Sequence, residues 1–367
     1  MPATLKINTK IKKAELITKK IDTNSSILIK NSSQTNLNTK LDTQTPLIKI
    51  KNGDSPTYLN PMWVTGFTDA EGSFMLSITT RANSKNLSIR PSFEIGLHSK
   101  DTAILHKIKN FFGVGLVTIR KFKDTGSFSV TKINDLSNII VPHFREFPLQ
   151  SQKREDFETW AKIVKLMVNK EHLTESGLVK IMELKSILNK GLTKGTNDIL
   201  FVKPLIRAIH LVNSSEFKTI DPYWISGFVD GDGSFSVKIY QRKTSYQVEL
   251  RFRITQHIRD AHLLGVIAEY LECGKVYTRA NKLACDLEVF NFQDVLKKII
   301  PFFQKYPLQT VKEKDFKDFS IVAGYMKNKD HLTPEGLELI RVLKFQMNNF
   351  RILPDITPLD SEKPSKD

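Results

Sequence analysis

Cysteine is nearly absent. The chain has 2 in 367 residues, Cys273 and Cys285, too few for a disulfide framework and without the second pair a structural zinc site needs. Any metal used here should therefore sit on oxygen ligands. Long apolar runs are missing too: no stretch approaches the roughly eighteen residues of a membrane span, and none has the charged, apolar, small-residue order of a secretory signal. An aqueous intracellular protein with no membrane partner is expected. Residues 1–55 contain no Trp, Tyr or Phe, and the first arginine of the chain is Arg81. That segment, rich in Lys, Asn, Thr, Ser and Ile, reads as a loose polar tail. A transit peptide would be Arg-rich and acid-poor, whereas Glu15, Asp22 and Asp42 interrupt the basic run, so import from the cytosol gains little support. Residues 351–367, with Pro354, Pro358 and Pro364, read as a second loose end.

What is present is positive charge and a doubled pattern. A formal net charge of +16 favours a polyanionic partner, nucleic acid first, and binding that weakens with salt. With 40% hydrophobic residues the chain can bury a large core, as two domains or one duplicated unit. Duplication is visible directly. Asn60-Pro61-Met62-Trp63-Val64-Thr65-Gly66-Phe67-Thr68-Asp69-Ala70-Glu71-Gly72-Ser73-Phe74 returns as Asp221-Pro222-Tyr223-Trp224-Ile225-Ser226-Gly227-Phe228-Val229-Asp230-Gly231-Asp232-Gly233-Ser234-Phe235, an offset of 161. Later matches fall at 159: His98 with His257, Pro148-Leu149-Gln150 with Pro307-Leu308-Gln309, and His172-Leu173-Thr174 with His331-Leu332-Thr333. Two halves are expected, 56–205 and 220–350, joined by a linker at 206–219.

Each half reads as helix, two strands, helix, two strands and a helical end. Asn60 and Asp221 are suitable N-caps, each followed by a proline whose missing N–H costs nothing there. Alternation in Phe74-Leu76-Ile78 and Phe235-Val237-Ile239 predicts strands with one apolar face. Ser73, Ser77, Thr79 and Arg81 line the other face in the first half, and Ser236, Lys238, Tyr240 and Arg242 in the second. A following strand sets Gln247, Glu249, Arg251, Arg253 and Thr255 opposite Val248, Leu250, Phe252 and Ile254. Such a polar face is ordinarily just the wet side of an antiparallel sheet. In so basic a chain, long polar side chains at alternate positions are instead suited to reach base edges in a major groove, which admits a β-ribbon. Arg120 and Arg279, matched at 159, extend the surface.

The repeated histidines are not read as ligands. Thr174 and Thr333 are N-cap candidates, which puts His172 and His331 in the preceding turn. His98 and His257 lie near strand ends with no cluster of other ligands, so a DNA or packing contact is expected of them.

The segments Val64–Gly72 and Ile225–Gly233 resemble the signature motif of the LAGLIDADG homing endonucleases, present twice as in the family's single-chain members. The similarity covers roughly residues 58–350. It implies an α+β fold: a pseudo-twofold pair of αββαββα halves, each with an antiparallel saddle-shaped sheet, joined where the motif helices pack. Glycine inside a helix costs about 1 kcal/mol relative to alanine, so Gly66 and Gly227 make sense if the two helices approach closely. Glu71 and Asp232 would then end those helices at the DNA cleft. Two carboxylates about 4 Å apart repel by roughly 4 kcal/mol at an effective dielectric near 20, and the helix dipole adds to the penalty. Cations relieve it.

By that resemblance the metal is Mg2+, or another divalent ion such as Mn2+, with Ca2+ in a non-cleaving complex, held by Glu71, Asp232 and the carbonyls of Ala70 and Gly231. Gln256 resembles the family's water-positioning glutamine. Its counterpart is Leu97, a departure that implies a weaker water network in one half. Lys153 and Lys312 resemble the active-site lysine that polarises the scissile phosphate. Asp69 and Asp230, two positions before the acids, project elsewhere and are expected to serve nearby backbone or basic groups. The implied activity is site-specific double-strand DNA cleavage by a monomer, with an organellar, mitochondrial intron as the gene's setting. An RNA-binding intron maturase and a catalytically silent DNA-binding protein remain as alternatives.

Overall fold

The computed structural model describes residues 59–80, 87–189, 220–280 and 282–348. Arg81, both tails and the linker at 206–219 lie outside them. Helix α1 (Pro61–Glu71) leads into strands β1 (Gly72–Thr80) and β2 (Leu87–His98), then helix α2 (Thr102–Phe112), strands β3 (Leu116–Arg120) and β4 (Thr125–Val130), and helices α3 (Val141–Glu146), α4 (Lys153–Val168) and α5 (Glu175–Ile187). The second half repeats this order: α6 (Pro222–Asp232), β5 (Gly233–Gln241), β6 (Tyr246–His257), α7 (Ala261–Tyr270), β7 (Lys275–Thr278), β8 (Ala284–Val289), α8 (Ile300–Lys305), α9 (Lys312–Lys327) and α10 (Pro334–Gln346). Both sheets are antiparallel and four-stranded, ordered β1-β2-β4-β3 and β5-β6-β8-β7.

The expected caps start both motif helices: Asn60 Oδ1 accepts from Met62 N at 2.8 Å, and Asp221 Oδ1 from Tyr223 N at 2.7 Å. Thr174 and Thr333 cap α5 and α10 through Gly177 N and Gly336 N, each at 3.1 Å, and so leave His172 and His331 in the preceding 3-10 turns. Along β6 burial alternates, with Val248, Leu250, Phe252 and Ile254 inward. Each sheet covers its own core on that side, built around Phe74, Phe93 and Trp160 in one half and Phe235, Phe252 and Phe319 in the other. The opposite faces stay wet.

Sequence did not foreshadow the π-helical turns Leu136–Ile140 and Val295–Ile299 that precede α3 and α8. The proline following each turn, Pro142 or Pro301, has no N–H to donate back, so the ladder at that point carries the wider bond, from Val141 N to Leu136 O and from Ile300 N to Val295 O.

His143 in α3 is ringed by Phe111, Phe112, Phe144 and Phe147, with centroids 4.7–5.4 Å away. Burial among them pushes its pKa down from 6.5 to about 3. The unfolded chain therefore takes up a proton near pH 6.5 that the native chain refuses until about pH 3, so this group's share of stability is whole above pH 6.5 and fades as pH falls. Phe302 holds the matching position in the other half, packed on Phe303 and Tyr306. His143→Phe is accordingly expected to fold and to lose less melting temperature than the parent between pH 7 and pH 4. Parallel thermal-melt curves for the two would contradict this.

Candidate active site

Alpha1 and α6 meet along their glycines. A methyl group on Gly66 would lie 2.0 Å from Trp224 O, and one on Gly227 would lie 2.1 Å from Trp63 O. The reciprocity shows a local twofold relation, and only two glycines allow so close a backbone contact. Each helix then reaches across. Trp224 Nε1 donates to Asp69 Oδ2 at 2.8 Å, and Trp63 Nε1 donates to Asp230 Oδ2 at 2.9 Å. These acids also bind the loops carrying the Pro-Leu-Gln repeats: Asp69 accepts from Gln150 N, Ser151 N and Ser151 Oγ, and Asp230 from Gln309 N, Thr310 N and Thr310 Oγ1. They serve backbone groups, as the sequence suggested, and in addition lock the halves together through the indoles. Burial raises the pKa of both, that of Asp230 to about 6, against the lowering effect of these donors.

Glu71 and Asp232 are the last residues of α1 and α6, each half-buried at the end of the shared seam. Glu71 is pushed up by burial first and by the charge of Asp232 second. Asp232 is raised by burial, while a hydrogen bond from Gln256 Nε2 and the charges of Lys153 and Lys312 pull the other way. Glu71 faces a cleft of about 560 Å³ that Leu97, Asp101, Arg120, Gly231 and Lys312 also line. The amide beside Asp232 thus has only an alkyl group as its counterpart in the other half.

The lysines and the helix-end carbonyls come together in a way the sequence did not indicate. Lys153 Nζ donates to Thr68 O at 2.9 Å and Ala70 O at 3.2 Å; Lys312 Nζ donates to Val229 O and Gly231 O, both at 2.8 Å. The carbonyls of Ala70 and Gly231, expected as metal ligands, accept ammonium groups in this structure, because the negative end of each motif helix attracts the nearest buried cation. Burial lowers both lysine pKa values, opposed by Asp69 or Asp230 and by the two terminal acids.

Two further acids, missed in the sequence, set these lysines from across the seam. Asp260 Oδ1 accepts from Gln152 N at 2.8 Å, and Asp101 Oδ1 accepts from Val311 N at 3.2 Å. Each bond anchors the start of the helix whose first residue is the other half's lysine. The pair recurs at the same offset of 159, which was the available signal. His98 and His257, expected to touch DNA or pack, cap their own 3-10 turns by accepting from Lys100 N and Arg259 N.

The polar sheet faces carry the remaining candidates. Ser77 and Thr79 are exposed on β1, and Arg120 ends β3 at the cleft. Lys238 and Tyr240 lie on β5 opposite Glu249 and Gln247 of β6, and Arg242 donates to Gln247 Oε1. Arg251, Arg253 and Arg279 are engaged by carboxylates of the same sheet.

Among the described residues no three or more His, Cys, Asp or Glu side chains form a metal cage, and no helix is long and apolar enough to cross a membrane. Two half-buried carboxylates with raised pKa values still suit a hard divalent cation, provided water and phosphate supply the other oxygens.

Fold and centre together define a class: duplicated α+β proteins whose halves share a helical seam ending in a pair of acids. The chain belongs to the LAGLIDADG endonuclease family, whose signature matches residues 64–164 and again 225–323. Probable intron-encoded endonuclease 3 of Neurospora crassa is 35% identical over 301 residues, covering 80% of this chain and 56% of that protein. This chain therefore spans a little over half that relative's length. The I-SmaMI LAGLIDADG homing endonuclease bound to cleaved DNA superposes with a TM-score of 0.76 at 37% identity, covering 80% of this chain and 98% of that one. The same enzyme bound to an uncleaved DNA target in the presence of calcium ions gives 0.75 at 36% identity, over 79% and 99%.

Proposed function

We propose that this chain is a site-specific DNA endonuclease that hydrolyses both strands of a long asymmetric target with divalent metal, acting as a monomer. The convergence of Glu71 and Asp232 at one end of a seam shared by two polar-faced sheets carries the reading. I-SmaMI, its structural relative, binds DNA and was captured with calcium, which supports DNA as the partner and a divalent ion as the cofactor. Kinship with an intron-encoded protein, and with proteins from an ND4 intron and a cox1 intron, supports a mitochondrial intron as the gene's setting.

Bound there, Mg2+ would activate water and neutralise charge on the leaving oxygen. Glu71 and Asp232 are the protein groups that would hold it. Gln256, bonded to Asp232, would orient a water in one half, and Leu97 would offer no such help in the other. Lys153 and Lys312 neutralise the helix ends and bring positive charge next to the acids, where a phosphate would sit. Methionine at either lysine keeps the stem and removes the charge. Lys153→Met and Lys312→Met are each expected to slow single-turnover cleavage by about 10- to 100-fold with a smaller change in DNA affinity. Unaltered rates would remove the lysines from the mechanism.

The direct test is incubation of the purified chain with Mg2+ and a pool of randomised duplexes, followed by sequencing of cut ends. A defined set of cleaved sequences, lost on adding a chelator, is expected. An intact pool would count against the endonuclease.

A further inference from the structure

The two sheets carry different chemistry on their wet faces. On β6 and β8 the wet face carries Glu249, Arg251, Arg253, Asp286 and Glu288, whereas the matching positions of the first half are Arg90, Ser92, Glu94, Ser127 and Ser129. In the second half the charges are organised. Arg253 Nη2 meets Glu288 Oε1 at 2.5 Å, its neighbour across the strand pair. Arg279 grips Asp286 with Nε and Nη2, at 2.5 and 2.6 Å, and reaches Thr255 Oγ1 with the second nitrogen. Arg251 spends all three nitrogens on Glu249 and Glu288.

The acids are not ordinary surface partners. Side-chain exposure is 14% for Glu288 and 9% for Asp286, so both are largely desolvated and fixed. Carboxylates on a face that meets a polyanion repel its phosphates and weaken binding, unless a base edge makes use of them. In the major groove the only partners for such acceptors are exocyclic amino groups, cytosine N4 or adenine N6. Arginine beside the acid decides between them: Nη1 of Arg253 and of Arg279, which these ion pairs leave unspent, can donate to guanine O6 or N7, and guanine's partner is cytosine. A fixed arginine–carboxylate couple is thus the complement of one G·C pair, donor next to acceptor. An A·T pair would set thymine O4, an acceptor, against the carboxylate.

We infer that the C-terminal sheet reads G·C base pairs through two such couples, Arg253 with Glu288 and Arg279 with Asp286, while the hydroxyl-rich N-terminal sheet reads its half-site less stringently. This rests on the DNA-binding reading above and assigns specificity to Glu288 and Asp286 as well as to the arginines. Pre-formed ion pairs also hold the arginine side chains in place before DNA arrives, which lowers the entropy lost on contact.

The test uses the intact chain and its Glu288→Gln and Asp286→Asn variants, each mixed with randomised duplexes in calcium buffer, with retained DNA sequenced so that no cleavage is needed. For the parent, one half-site should hold at least one fixed G·C pair per couple. Glu288→Gln should lose about 10-fold or more of the cytosine preference at one of them, and Asp286→Asn at another. Preferences in the opposite half-site should persist in both variants and show that they are folded. Retained DNA with only A·T pairs at the affected positions, or variants with the parent's preferences throughout, overturns the inference while leaving DNA binding intact. Failure to retain any duplex overturns both readings.

Discussion

Glu71→Gln and Asp232→Asn are each expected to reduce cleavage of a selected target about a thousandfold or more, with DNA affinity within a few fold of the parent. Both substitutions keep size and hydrogen-bonding capacity while removing one negative charge. A thousandfold corresponds to about 4 kcal/mol of lost barrier lowering, a reasonable cost for weakening a carboxylate's hold on a divalent ion that stabilises the transition state. Binding should survive because, on the proposed reading, affinity comes from the sheets' contacts with the phosphates and bases. It should even gain slightly, since each acid repels phosphate. Rates under single turnover, read beside affinities in calcium, separate the two effects. Undiminished cutting by both variants would move the reacting centre elsewhere.

Gly227→Ala and Gly66→Ala are each expected to be strongly destabilising. The added carbon at Gly227 would sit 2.1 Å from Trp63 O and 2.9 Å from Phe67 N, both backbone atoms of the facing helix. No rotamer change can relieve that, so α1 and α6 must part. Parting strains the indole bonds to Asp69 and Asp230 and moves Glu71 away from Asp232. Overpacking of this kind costs about 3 kcal/mol or more, to be read from denaturant midpoints. Gly265→Ala and Gly324→Ala are the internal controls. Both lie in helices with nothing within 4 Å of an added methyl, so the helix preference for alanine should make them neutral or mildly stabilising. Equal behaviour of all four variants would deny the seam its special packing.

Much of this architecture was legible because the determinants are local and occur twice. Asn60-Pro61 and Asp221-Pro222 mark helix starts by capping chemistry, and the alternation through Gln247–Thr255 marks which side of β6 is wet. Doubling turned individually weak features into a register between halves. What stayed hidden depends on groups far apart in the chain. That Trp63 donates to Asp230 and Trp224 to Asp69 follows from a crossing geometry that no spacing encodes. The lysine ammoniums on Ala70 O and Gly231 O could not be anticipated either, since a carbonyl's partner is set by tertiary approach. Asp101 and Asp260 were within reach, recurring at the repeat offset, but their acceptor role toward the other half's helix is a property of the assembled seam.

The most direct test is anomalous scattering from Mn2+ in crystals of the chain with its selected DNA. Density should appear at the end of the α1–α6 seam, within coordination distance of both the Glu71 and Asp232 carboxylates and of a phosphate oxygen, and should weaken in the Glu71→Gln variant. A DNA complex that is cut in manganese yet shows no ion at the seam, or one bound by other side chains, would contradict the role assigned to these two acids.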